Sequence, residues 1–290
     1  MKNRKIRITV LLIAGVAIAA AFGLYVAHAR EESHDEPPVI SCSTDKIEAS
    51  INVTDEELLQ GVTAYDSEDG DVTSSIVIES ISQFVEKNTR IVTYAAFDSK
   101  NHVSKATRTL VYTDYTPPRF ELTGSLIFRS GMNVNVLKYV KANDCIDGDI
   151  SYRVKVTLMS NSGSLAVAGT HDVRFKVTNS AGDTAYLDTT VDIYNDVSTV
   201  GKYRAEIQLK QYILYIPVGG RVDAKSFLRG VSYGNESMPI SEYGVYNVHA
   251  SSDVDTKTPG YYLITYTTTT PDDMYSGMAK LVVVVYDPEE

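Results

Sequence analysis

The stretch Asp66-Ser67-Glu68-Asp69-Gly70-Asp71-Val72, DSEDGDV, returns 78 residues later as Asp144-Cys145-Ile146-Asp147-Gly148-Asp149-Ile150, DCIDGDI. Three aspartates and a glycine recur at the same spacing, so either a local structure or a ligand set has been written twice. The duplication extends outward from the loop, as an internal repeat should. Pro37-Pro38 opens one copy and Pro117-Pro118 the next. LLQGVTA at 58–64 precedes the first loop and LKYVKA at 137–142 the second. NTRIVTY at 88–94 corresponds to GTHDVRF at 169–175, and the turn FDSKNH at 97–102 to TNSAGD at 178–183.

Between these landmarks the chain follows a strand pattern. Runs of four to eight residues rich in Val, Ile, Thr and Tyr are bounded by Gly, Asn, Asp and Ser. In DVRFKV, Val173, Phe175 and Val177 alternate with Asp172, Arg174 and Lys176, which predicts one buried and one wet sheet face. A third copy begins near Tyr203. FLRGV at 227–231 stands where LLQGV stood, and PGYYLITY at 259–266 repeats the later strand with Tyr262, Ile264 and Tyr266 inward. There YGNESMP replaces the acidic loop.

These motifs resemble the bacterial immunoglobulin-like repeats of Gram-positive surface proteins, related to the Ig-like repeats of pesticidal crystal proteins and to hyalin repeats. Their pattern runs approximately A-x-D-x-x-D-G-D-hydrophobic, then G-x-Y-x-V-x-Y-x-V-x-D-x-x-G-N. The likeness covers nearly all of residues 37–287, with Asn88 and Asn101 in place of glycines and Asn179 in place of an aspartate. It implies an all-β protein of three tandem Ig-like β-sandwiches without intrinsic catalytic activity. The expected domains are 37–115, 116–197 and a divergent 203–287.

Ahead of the copies, residues 8–27 carry no charge across 20 positions, at ~1.5 Å rise per residue enough for the ~30 Å hydrocarbon core of a bilayer. Lys2, Arg4, Lys5 and Arg7 precede this segment and Glu31, Glu32, Asp35 and Glu36 follow. The expectation is a basic cytoplasmic tail (1–7), a transmembrane helix (8–28), a linker (29–36) and β-domains outside the cell membrane. Ala27-His28-Ala29 leaves a cleaved secretory signal open as the alternative. Val39-Ile40-Ser41-Cys42 imitates a lipobox, but the charged REESHDEPP separates it from the apolar run.

All 37 acids and all but four of the 27 bases follow that segment, a balance of −14 that makes nucleic acid a poor partner. His28, His34, His102, His171 and His249 form no H-E-x-x-H, no G-x-S-x-G surrounds a serine, and no G-x-x-x-x-G-K is present. The expected function is non-enzymatic, in adhesion, ligand binding or spacing, with a protein or carbohydrate ligand. A scaffold that docks a partner by its edge strands is the alternative.

Two groups of residues are candidates for a site. Asp66, Asp69, Asp71, Asp144, Asp147 and Asp149 suit a hydrogen-bonded turn, in which Gly70 and Gly148 take φ > 0 and short carboxylates accept backbone N–H groups. They also suit calcium, which takes six to eight oxygens, although the spacing departs from the D-x-[DN]-x-[DN]-G loop and lacks its closing Glu. The second group is tyrosine. Eleven of the 20 lie between Tyr203 and Glu290; Tyr233, Tyr243, Tyr246 and Tyr275 fall in Gly- and Ser-rich sequence and suit a ligand face, whereas strand preference alone would also place them. Cys42 aligns with Leu122 as an apolar substitute and Cys145 lies in the second acidic loop, so a bridge between them is not expected. Asn52 and Asn235 open glycosylation sequons.

Overall fold

The computed structural model describes residues 15–26, 36–159, 164–195, 203–271 and 273–288, which form 21 strands and three α-helices. Strands β1 (Val39–Cys42), β2 (Lys46–Ala49), β3 (Val62–Asp66), β4 (Gly70–Asp71), β5 (Val77–Ile81), β6 (Thr89–Phe97) and β7 (Val103–Tyr112) make the first copy. The second comprises β8 (Arg119–Leu122), β9 (Ile127–Arg129), β10 (Val140–Asp144), β11 (Gly148–Asp149), β12 (Lys155–Leu158), β13 (Gly169–Thr178) and β14 (Thr184–Tyr194). The third contains β15 (Tyr203–Leu209), β16 (Ile213–Pro217), β17 (Leu228–Tyr233), β18 (Glu236–Pro239), β19 (Val248–Ser252), β20 (Gly260–Thr269) and β21 (Tyr275–Tyr286).

One topology recurs. The opening strand pairs antiparallel in one sheet, as β1 with β3 and β8 with β10, in registers that set Cys42 opposite Val62 and Leu122 opposite Val140. The chain then crosses to the other sheet, where β2 runs parallel to β7 and β9 parallel to β14. Each of the first two copies is thus a three-stranded sheet with a four-stranded sheet, β2-β7-β6-β5 or β12-β13-β14-β9. In the third copy β15 pairs antiparallel with β17 and β16 runs parallel to β21. There β15 also pairs with β21, merging everything into one seven-stranded sheet.

Strand alternation supplies the cores. Val173, Phe175 and Val177 of β13 are buried, as are Ile264 and Tyr266 of β20, each such side chain contributing about 1.5–3 kcal/mol of transfer free energy. Tyr94 and Tyr266 occupy equivalent strands, and their hydroxyls donate to backbone oxygens at the entrance to the third strand of each copy, Leu58 O at 2.7 Å and Ala224 O at 2.6 Å. In copy one that entrance is helix α2 (Asp55–Leu59). Thr54 caps it by accepting from Glu57 N while the Glu57 carboxylate accepts from Thr54 N, a reciprocal capping box that fixes buried Leu58. Asn88 and Asn101 have φ of 60° and 67°, which explains why they occupy glycine positions: asparagine is the side chain that tolerates the left-handed region best.

The chain divides into two compact units, 1–113 and 114–290. That division falls near the start of copy two, whereas copies two and three belong to one unit. The reason is in β16 and β21. Ile216, Leu281, Val283 and Val285 face the third copy's own core, while Ile213, Val282 and Val284 complete the core of copy two. Both strands are covered on both faces.

The expected membrane anchor is corrected. Of segment 8–28, residues 15–26 are described, as helix α1. Among the described residues no helix is long and apolar enough to cross a membrane, which overturns the single-pass localisation. Residues 1–14 and 27–35, with the basic tail and most of the linker, lie outside the described residues.

Candidate functional site

In copy one, Asp66 Oδ1 accepts the amides of Glu68 at 2.8 Å and Asp69 at 2.9 Å. Asp144 Oδ1 does the same for Ile146 and Asp147 at 2.9 Å each. Asp71 and Asp149 accept from Thr73 N and Ser151 N at the start of the next turn. The middle aspartate reaches across to a different hairpin: Asp69 accepts the amide and hydroxyl of Ser99 at 2.6 and 2.9 Å, and Asp147 those of Ser180, both at 2.6 Å. Gly70 and Gly148 sit at φ 76° and 70°, a conformation glycine adopts without a Cβ penalty.

The three carboxylates of each loop thus cap one turn, open the next and fasten both to a distant hairpin. Among the described residues no group of three or more His, Cys, Asp or Glu is disposed to hold a metal ion. In copy two the fastening is deeper. Asn179 Nδ2 donates to Asp144 Oδ2 at 3.0 Å and to Tyr115 OH at 3.1 Å, and Tyr115 donates to Asp183 Oδ2 at 2.5 Å. Burial, with Asp183 and Asp144 nearby, pushes the Tyr115 phenol well above its ordinary range. Arg153 Nη1 adds a 3.0 Å ion pair to Asp147.

Four of these carboxyls are held below the usual range. The amides of Asp69 and Glu68 lower Asp66, and the hydroxyl and amide of Thr73 lower Asp71. Ser151 lowers Asp149 in the same way. For Asp147, burial pushes upward but is outweighed by Ser180 and Arg153. A carboxyl depressed in the folded state stabilises it fully above the unfolded pKa of about 3.9, and that contribution disappears as pH falls through the folded value. Urea midpoints are therefore expected to drop below about pH 4, and less steeply in an Asp71→Asn, Asp149→Asn variant. An unchanged slope in that variant would refute the assignment.

Of the tyrosine candidates, three come together and one does not. Tyr233 lies 5.3 Å from Tyr275 and 6.3 Å from Tyr243 between ring centroids. Tyr243 is buried in helix α3 (Ile240–Tyr243), its hydroxyl 2.8 Å from Thr268 Oγ1, so it belongs to the core rather than to a ligand face. Tyr233 and Tyr275 pack on that core, and exposed Tyr203 joins the cluster 5.5 Å from Tyr275. Tyr246 stands apart, 88% exposed, with Lys225 Nζ 4.5 Å from its ring centroid. Both cysteines are free and half-buried. Cys42 holds the register position of Leu122 without its full burial; desolvation raises its thiol pKa, against the lowering influence of Arg108. Cys145 Sγ donates to Thr116 O at 3.1 Å.

The seam between copies two and three supplies what periodicity left unseen. A cleft of about 570 Å³ opens there between Phe128 and Tyr139 on one side and Arg204, Glu206, Tyr212 and Tyr233 on the other. Beside it the seam is fastened by Tyr215 OH, which accepts Phe120 N at 2.9 Å, and by Tyr261 OH, which donates to Tyr186 O at 2.7 Å. Lys280 Nζ lies 2.5 Å from Asp192 Oδ2, out of line for a hydrogen bond, and donates to Thr190 Oγ1 at 2.9 Å. The high tyrosine count was the only sequence signal for this cleft, because its walls come from positions about 65 to 105 residues apart.

Solved structures that share likeness with the chain include the CBM51-2 domain, in complex with GlcNAc, and INT domains of Clostridium perfringens ZmpB, at 21% identity over 52% of this chain and 26% of that one, TM-score 0.21. Another is the M60 catalytic domain of ZmpB with CBM51-1 and CBM51-2, at 12% identity over 86% and 31%, TM-score 0.22. Mouse cadherin-23 EC22-24 matches at 13% identity over 87% and 100%, TM-score 0.23. The chain spans about a quarter to a third of the length of the two ZmpB structures. Scores this low carry no conclusion about ligand or partner. No protein-family model matches the sequence, and no curated protein does.

Proposed function

We propose that the protein is a non-enzymatic ligand-binding or adhesion protein built from three Ig-like sandwiches of the bacterial repeat type. The observation that carries this reading is the seam: residues 114–290 form one unit in which strands of the third copy complete the core of the second and an open cleft lies between the two copies. A body of this kind presents a fixed surface without the order cost that a flexible linker would add on binding. The split of the first strand between two sheets supports the Ig-like reading, since β1/β2 and β8/β9 both make it. The aspartates of the two acidic loops serve as turn acceptors.

The test pairs binding with turnover. Purified protein, immobilised, is expected to bind bacterial surface extracts saturably and to leave chromogenic glycoside, ester and peptide substrates intact. Turnover that co-purifies with the protein through successive columns, or the absence of any saturable binding, would overturn the reading.

A further inference from the structure

We propose that the cleft between copies two and three is a binding site for a neutral oligosaccharide; this rests on the ligand-binding reading above and names its ligand class. Its volume of about 570 Å³ falls in the ~300–1,000 Å³ range of small-molecule sites. The walls combine two kinds of chemistry that a sugar ring also combines. Phe128 and Tyr139, edge to face at 5.1 Å, and Tyr212 and Tyr233 opposite them offer apolar ring faces with polar tips, which suit the C–H faces of a pyranose. Arg204 and Glu206 are two apart on β15 and so point to the same side of the strand. One supplies a donor fork and the other two acceptor oxygens, which suits hydroxyls that both donate and accept.

The opposed charges of that pair select a neutral ligand over an anion or a cation. Arg204 is also held in place, its guanidinium 4.2 Å from the Tyr194 ring centroid. Tyr139 is fixed by a close approach to Gly124, where a Cβ would come within 3.0 Å of its ring. In the wall between them the buried hydroxyl of Ser125 has no hydrogen-bond partner, a polar group that a ligand hydroxyl reached by side-chain rotation would satisfy. An open, largely polar cleft lacks the enclosed apolar pocket in which a protein partner anchors a hot-spot side chain.

The experiment is calorimetric titration of the full chain with cellohexaose, chitohexaose and xylohexaose. At least one is expected to bind, and Tyr139→Ala and Arg204→Ala are each expected to weaken it tenfold or more. Tyr246→Ala, outside the cleft, is expected to change nothing. Tyr139 and Arg204 are partly exposed, and an unchanged melting midpoint in each variant confirms that the fold is intact. Failure of all three sugars to bind, or binding that both cleft variants retain, overturns the proposal. Saturable binding to a protease-sensitive surface component in that case leaves the ligand-binding reading standing and assigns the ligand to protein, whereas no binding at all removes both.

Discussion

Replacing Lys280 with methionine is expected to cost the 114–290 unit about 3–5 kcal/mol, the scale of breaking one side of a buried ion pair. Its ammonium and the Asp192 carboxylate are 15% and 9% exposed, so water cannot take over the role of the lost partner. Asp192 Oδ1 would keep only the Thr170 hydroxyl, which donates to it at 2.6 Å. With a shift of roughly 2–4 °C per kcal/mol for a unit of this size, the transition of 114–290 should fall by about 10 °C. The transition of 1–113 should not move, because neither residue belongs to that unit. An Asp192→Asn substitution added to Lys280→Met should cost much less than it does alone, since the charge that needed a partner has gone. A cost below about 1 kcal/mol for Lys280→Met, or strict additivity of the two, would show that the seam is held by its apolar contacts and not by this pair.

Asp144→Ala is expected to be nearly as damaging, at about 3 kcal/mol. It strands the amides of Ile146 and Asp147 and the Asn179 side chain together, and each hydrogen bond to a charged acceptor contributes about 1.5–3 kcal/mol before the loop relaxes toward water. The same substitution tests calcium. A site saturated ~100-fold above its dissociation constant adds about 2.7 kcal/mol, which at ~2–4 °C per kcal/mol raises the midpoint of 114–290 by roughly 5–10 °C. The hydrogen-bonded turn predicts equal midpoints in millimolar calcium and in chelator, and equal loss in both for Asp144→Ala. A calcium-dependent rise that disappears in an Asp147→Ala, Asp149→Ala variant would establish a metal site instead.

The acidic turns and the strands were legible in the sequence because their causes are local. DSEDGDV and DCIDGDI place a glycine where φ must be positive and aspartates two or three residues ahead of the amides they accept. DVRFKV alternates because its strand has one wet face. What the middle aspartates do was not local: the partners of Asp69 and Asp147 are serines about 30 residues on. Tyrosine number pointed toward the third copy but could not sort core from surface, so buried Tyr243 and exposed Tyr246 looked alike.

Strands, turns and their repetition follow from residue order, since side-chain alternation and backbone conformation depend on near neighbours. That the second and third copies are one body emerges from packing between distant strands. Its trace in the sequence is the break in alternation at Leu281-Val282-Val283-Val284-Val285, where every residue is buried. A strand reads this way when it is covered on both faces, but the run does not say by what. Leu281, Val283 and Val285 turn to their own copy, and Val282 and Val284 to a core more than 85 residues earlier in the chain. That choice depends on shape and area brought together by folding, which no local pattern encodes.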